Sequence, residues 1–353
     1  MATMADIAER AGVALSTVSY VLSGKRSVSE ETKQRVMRAI AELDYQPHAF
    51  ARGLASKRTQ TIALLFPVLA KGHSEMRLEF VAQAAEVAAE HGYAFLLWSA
   101  PDSDAEILQL TAQGRVDGLI LMEVNLHDSR VDLLKKHNYP FSLIGHCQEN
   151  DGISFVDVDF ENAIDIAVAH LAELGHRRIA LFNFSDPQIA GGYGPAIRSL
   201  RSFEHNIKKY GLEGISVNHE TSFQSGYDAT CSLLTRDPAV SAAIVLQDAS
   251  IGGVFQALHR FGLRIPEDFS IVTLLSKRSA EMMTPMLTAI DFPAAEMGRR
   301  GAEMLIQQLE GKLTAPVQLL LRVGLTVRQS SGPYRPRITH SEERLFVDNQ
   351  LSA

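Results

Sequence analysis

The sequence predicts an α/β protein made of a small three-helix head, a short basic hinge and a body of two doubly wound lobes. Three observations carry this. The first 46 residues divide into short, capped helical stretches. From residue 61 onward, short apolar runs alternate with helical stretches, which is βαβ wiring. The unit restarts near residue 160, where Arg178-Ile179-Ala180-Leu181-Phe182 echoes Thr61 to Phe66 after 117 residues.

In the head, Thr3 and Asp6 form a Thr-x-x-Asp start signal for a helix through Ile7 and Ala8 that stops at Gly12. A second helix runs from about Leu15 to Leu22 and ends at Ser23-Gly24. Ser29 caps a third, with Glu30 and Glu31 in its first turn and Val36, Ile40 and Leu43 as its buried stripe. Ala8, Gly12 and Val18 supply a close approach, a tight turn and a β-branched plug, the packing logic of a helix-turn-helix. With Val18, Val21 and Leu22 turned inward, Leu15, Ser16, Ser19 and Tyr20 lie outward, where such a helix meets the major groove. Thr17 and Ser19 suit phosphates, Leu15 suits a thymine methyl, and Thr3 joins them as a candidate DNA contact.

The hinge, Pro47 to Arg58, contains Gly53 and is too short to be a stable helix alone. Folding on DNA would wedge Leu54 into the minor groove beside Ala51, with Arg52 and Lys57 near phosphate. The charge distribution agrees. The whole chain is at -7, yet residues 1–60 hold nine Lys/Arg against six Asp/Glu, a net of +3, and the remainder is at -10. A basic head on an acidic body suits a tethered anion-binding module.

Other classes are excluded by composition and motif. No apolar run approaches the roughly 20 residues of a membrane span. Asp6, Glu9 and Arg10 precede any apolar stretch, unlike a secretory signal, so a cytoplasmic protein is expected. Two cysteines, Cys147 and Cys231, are too few for a disulfide scaffold. Gly191-Gly192-Tyr193-Gly194 lacks the Lys-Ser/Thr of a phosphate-binding loop, and no metal-ligand spacing or nucleophile elbow is present. No enzyme activity, cofactor or metal is expected.

In the body, Thr61 to Phe66 reads as a buried parallel strand ended by Pro67, followed by a helix from about Glu75 to Glu90 closed by His91-Gly92. Further strands are Phe95 to Trp98, Gly118 to Met122 and Phe141 to Ile144. Two such lobes imply a cleft lined by the carboxyl ends of both sheets.

Two sets of motifs resemble the LacI/GalR bacterial repressors. In the head and hinge these are Ala8-x3-Gly12-Val13-x3-Thr17-Val18-Ser19, Val28-Ser29-x2-Thr32-x2-Arg35-Val36 and Ala51-Arg52-x-Leu54-Ala55. In the body they are His170-Leu171-x2-Leu174-Gly175-His176-Arg177-Arg178, Gly262-Leu263-x-Ile265-Pro266-Glu267-Asp268 and Pro285-x-Leu287-Thr288-x-Ile290. The resemblance implies a periplasmic-binding-protein-like body and a homodimer, with a tetramer left open, whose paired heads read a pseudo-palindromic double-stranded operator. It implies paired hinge helices with Leu54 intercalating, and chain crossings near residues 160, 290 and 322. The expected division is a head at 1–46, a hinge at 47–60 and a body at 61–334, followed by a disordered tail at 335–353. Lobe 1 would hold about 61–160 and 291–321, and lobe 2 about 161–290 and 322–334. Two departures concern DNA: Tyr20 stands where the family has Arg, and Ser23 where it has Asn. Tyrosine cannot fork two donors onto guanine.

The family cleft takes a small polar effector, most often a sugar or sugar derivative. Asp248, following Ala243 to Leu246 and Gln247, matches the acid that holds effector hydroxyls and also suits a helix N-cap. Arg198 stands near the family's effector arginine, though a surface salt bridge suits it equally. Glu123 and His146 follow strands and point to the cleft, and Phe66, Trp98 and Phe223 are candidate stacking surfaces. The first cleft loop, Val68 to Ser74, departs from the family pattern, and Leu274-Leu275 replaces the usual Phe-Asp. The expected function is a ligand-responsive DNA-binding regulator, a repressor before an activator. The alternative is a transporter-type solute-binding protein, which would need a signal sequence and no head.

Overall fold

A computed structural model describes residues 2–23, 26–44, 58–66, 75–99 and 104–336. The head consists of α1 (Met4–Ala11), α2 (Leu15–Ser23) and α3 (Glu30–Glu42). Thr3 and Asp6 form a reciprocal capping box on α1, and Gly12 ends it at φ +63°, a backbone state open to glycine at little cost. Ser29 caps α3 by accepting from the Thr32 N–H. Ile7, Val18 and Val36 are fully buried at the point where the three helices meet.

The body holds two sheets of the same design. Lobe 1 contains β1 (Thr61–Leu65), β2 (Ala94–Trp98), β3 (Gly118–Leu121), β4 (Phe141–Ile144), β5 (Phe155–Val158) and β11 (Gln318–Leu321), in the order β11-β5-β4-β3-β1-β2. Lobe 2 contains β6 (Arg178–Asn183), β7 (Glu213–Asn218), β8 (Ala242–Val245), β9 (Ser270–Leu275), β10 (Thr288–Asp291) and β12 (Leu325–Thr326), in the order β12-β10-β9-β8-β6-β7. Strand for strand the orders are equivalent, so the repeat in the sequence is a repeat in topology. Both central strands sit in matching registers: Ile62 pairs with Phe95 and Gly118, and Ile179 with Gly214 and Ala242. The pairings are parallel except β10 with β12. The central strands are buried along nearly their whole length because helices cover both faces, which is why they read as unbroken apolar runs.

The helices of the body are α4 (Glu75–Glu90), α5 (Asp104–Ala112), α6 (Ser129–Lys136), α7 (Phe160–Glu173), α8 (Asp186–Ala190), α9 (Gly194–Lys209), α10 (Phe223–Arg236), α11 (Asp248–Arg260), α12 (Lys277–Glu281) and α13 (Ala294–Leu309). The chain passes from lobe 1 to lobe 2 between β5 and α7, returns between β10 and α13, and crosses again between β11 and β12. Helix α13 packs on α4, and Gly298 makes the approach possible: a Cβ there would collide with the Phe80 backbone. Both lobes direct the carboxyl ends of their parallel strands to one shared cleft.

Candidate functional site

On the head, Leu15 is 51% exposed and Ser16 is exposed, whereas Thr17, Ser19 and Tyr20 are half-buried. Thr3 is exposed and commits its hydroxyl to the cap of α1. Helix α2 has no basic residue in its last turn, but the guanidinium of Arg26 lies 5.8 Å from the Tyr20 ring centroid. A forked donor therefore stands next to the tyrosine that cannot supply one. Ala51, Arg52 and Leu54 lie outside the described residues, as does the loop 67–74.

Between the lobes is a cavity of about 100 Å³. A single water needs about 10–15 Å³ by this measure, so the space suits one small molecule. Its apolar wall includes Phe80, Phe160 and Phe292, with Phe292 6.1 Å by ring centroid from each of the other two. Its polar wall includes Arg77, Glu123 and Asp157 from lobe 1 and Tyr193, Thr221, Gln247 and Asp248 from lobe 2.

Glu123 follows β3 at φ +52°, a conformation that costs a non-glycine residue about 1–3 kcal/mol. Arg130 over-determines it: Nη2 donates to the Met122 and Glu123 carbonyls at 3.2 and 3.1 Å and to Asp128 at 2.7 Å. Burial acts to raise the Asp128 carboxyl, but the hydrogen bonds and charge of Arg130 outweigh it and hold it below the ordinary carboxylate range. The Glu123 carboxylate pairs with Arg77 Nη2 at 3.1 Å.

Across the cleft, Gln247 is 3% exposed and its amide orientation is dictated by its neighbours. Nε2 faces the carbonyl oxygens of Asn183 (3.2 Å) and His219 (3.4 Å), so it must be the NH2 end. That leaves Oε1 without a hydrogen-bond partner among the described residues, and Thr221 Oγ1 likewise. Asp248 is the first residue of α11 rather than its N-cap, and its carboxylate accepts from the Ala249 N–H at 2.8 Å. Acceptors thus dominate this end of the cavity, which suits a ligand rich in hydroxyl or N–H donors.

Glu123 and Asp248 line the cavity on opposite lobes. The other five candidate effector residues do not line it. The Nδ1–H of His146 donates to the carboxylate of buried Asp157 at 2.7 Å, and the ring stacks on Phe155. Arg198 reaches from lobe 2 to the carbonyl oxygens of His146 (2.9 Å) and Cys147 (3.2 Å) in lobe 1, so it fastens the lobes together. Phe66 is 3% exposed in the core of lobe 1, and Phe223 is 48% exposed at the start of α10, over Gly252. Trp98 packs against the opposite face of lobe 1. Arg77, Asp157, Thr221 and Tyr193 also line the cavity; of these, Tyr193 alone carries a sequence signal, its glycine-rich setting. Burial pushes the Tyr193 phenol far above its ordinary range, and the Glu123 charge adds to this, so the group is a neutral donor. Among the described residues no cluster could hold a metal ion, and no helix is long and apolar enough to cross a membrane.

Residues 3–48 match the family model of bacterial regulatory proteins, lacI family, and residues 168–331 match a periplasmic binding protein-like domain. The ribose operon repressor of Escherichia coli (strain K12) is 31% identical over 335 residues, 92% of this chain and 97% of its own length. The HTH-type transcriptional regulator CelR of Thermobifida fusca is 30% identical, covering 93% of this chain and 98% of its own. Among solved structures, the lac repressor dimer bound to operator and the anti-inducer ONPF superposes with a TM-score of 0.80 at 25% identity, over 94% of this chain and 99% of that one. A CelR–cellobiose complex gives 0.69 at 27%, over 94% and 100%. A helix-turn-helix head on a two-lobed binding body defines a DNA-binding transcriptional regulator. The chain belongs to the LacI family of bacterial regulatory proteins.

Proposed function

We propose that this regulator is a cytoplasmic repressor that binds a pseudo-palindromic operator as a homodimer and is controlled by a carbohydrate held between its lobes. The observation that carries the reading is the inter-lobe cavity, where the buried Gln247 Oε1, without a partner among the described residues, stands beside Asp248 and opposite Glu123. A polyol donates to several acceptors at once, and one touching both walls stabilises one lobe orientation over the other. Relatives named for ribose and cellobiose, and a relative solved as a dimer on its operator, support the same reading.

In this account Thr3, Leu15, Ser16, Thr17, Ser19 and Tyr20 meet DNA from the head, and Ala51, Arg52 and Leu54 from the hinge. Residues 1–46 form the head, 47–60 the hinge and 61–334 the body. Ligand-dependent lobe orientation sets the spacing of the two hinges across the dimer, and so the free energy of folding them on DNA. A tenfold change in operator affinity needs only about 1.4 kcal/mol of coupling. The test is Leu54→Ala, measured by anisotropy on DNA that the wild type selects from a random pool. Operator affinity is expected to fall at least tenfold while the thermal response of the body to sugars is retained. Equal operator affinity in both proteins would remove the hinge from the account.

A further inference from the structure

The glycine-rich segment Gly191–Gly194, which is no phosphate-binding loop, contributes Tyr193 to the wall of the inter-lobe cavity. It belongs to lobe 2, between α8 and α9, and it pairs with the Val124–Leu126 segment that follows β3 in lobe 1. The Leu126 N–H donates to the Gly192 carbonyl at 2.7 Å, and the Gly194 N–H donates to the Val124 carbonyl at 3.2 Å. Asn125 and Tyr193 face each other as an isolated antiparallel bridge. Gly192 sits at φ +85°, and a Cβ on Gly194 would press on the Arg198 guanidinium and the Val124 carbonyl oxygen. Glycine thus suits the backbone turn at position 192 and keeps position 194 clear of the Val124 carbonyl.

The lobe 1 side of this contact is built in advance. Asn125 N–H donates to Asp128, which Arg130 holds, and Gln148 N–H donates to the Leu126 carbonyl. One turn further along α9, Arg198 donates to the His146 and Cys147 carbonyls, so residues 192–198 carry four hydrogen bonds from one lobe to the other. Yet the Tyr193 ring itself is part of the cavity wall, set edge-on to Phe184 at 4.9 Å. The residue that touches cavity contents is thus flanked on both sides by the backbone groups that join the lobes. When the lobes part, those groups exchange partners with water at little net cost. A contact of that kind can be tipped by a bound molecule.

We propose that Tyr193 is the effector-sensing residue of the cleft, and that its glycine-flanked segment is a latch that joins the lobes when a ligand packs against the ring. This rests on the reading that the cleft holds the effector. The bridge is of the type without direct hydrogen bonds between the facing residues, whose Cα atoms are about 4.5 Å apart in such ladders, within reach of a disulfide.

The test uses the full-length Asn125→Cys/Tyr193→Cys variant, oxidised with glutathione disulfide, with the wild type and its native cysteines as control. The expected results are a mass loss of two hydrogens in the variant and an operator affinity that differs at least tenfold between its oxidised and reduced forms. The wild type should show neither. Gly194→Ala, whose methyl crowds the Val124 carbonyl and the Arg198 guanidinium and so loosens the latch, is expected to shift operator affinity in the direction opposite to the cross-link. No cross-link, a cross-link without any change in affinity, or shifts of the same sign would each overturn the proposal. If the wild type selected no DNA sequence at all, the operator reading would fail instead, and the cross-linking yield would still decide whether the latch exists.

Discussion

Gly298→Ala is expected to lower the stability of the body by about 2 kcal/mol and its Tm by roughly 4–8 °C. Helix propensity alone predicts the opposite sign, a gain of about 1 kcal/mol for alanine in a helix interior. The packing reverses this. Gly298 is buried on α13, and the atoms a Cβ would strike are the backbone of Phe80 on α4, which cannot rotate aside as a side chain can. The helices would have to separate, and Phe80 and the neighbouring Met297 both line the cavity. The same substitution should therefore weaken any ligand-induced thermal shift. Calorimetry of the variant decides the matter; an unchanged or raised Tm would mean that α4 and α13 do not pack as described.

The second large effect is expected at Asp248. Hydrogen bonds to a charged group contribute about 1.5–3 kcal/mol, so Asp248→Ala should weaken effector binding by about 10- to 100-fold. Operator binding in the absence of effector should change little, because the head lies outside the cleft. The carboxylate also accepts from the Ala249 N–H at the start of α11, so a loss of helix stability has to be separated from a loss of ligand contact. Asp248→Asn makes that separation, since it keeps the helix contact and loses the charge. Isothermal titration of both variants with a sugar that binds the wild type should show binding weakened in each. A full response in Asp248→Ala would remove Asp248 from the site.

The head was legible because its determinants are local. The Thr3–Asp6 box, the Gly12 turn, the Ser29 cap and the small residues that admit Val18 act within a few positions of one another. The two lobes were legible because buried parallel strands need unbroken apolar runs, and a duplicated unit repeats them. Glu123 and Asp248 could be read as facing the cleft, since residues just past such strands come out at the carboxyl ends of the sheets.

His146 and Arg198 share that neighbourhood, but 52 positions separate them, and nothing local says that the guanidinium reaches the His146 carbonyl across the lobe boundary. Phe66 and Phe223 show how an aromatic near a strand or helix end goes either way, the first into the core and the second onto the surface. Arg77 and Tyr193 escaped notice for a related reason. One lies on a helix and the other in a glycine-rich turn, and only the docking of the lobes brings both to the same cavity. Non-local contacts between two separately readable units are where sequence patterns lose their hold.

Ligand control of DNA binding requires coupling between the cleft and the head. Its most direct test is the affinity of the intact chain for its selected operator, measured by anisotropy with and without a saturating sugar that raises the Tm of the body. A change of at least tenfold is expected in the wild type and a much smaller one in Asp248→Asn at the same sugar concentration. A sugar that stabilises the body yet leaves operator affinity unchanged would contradict that coupling.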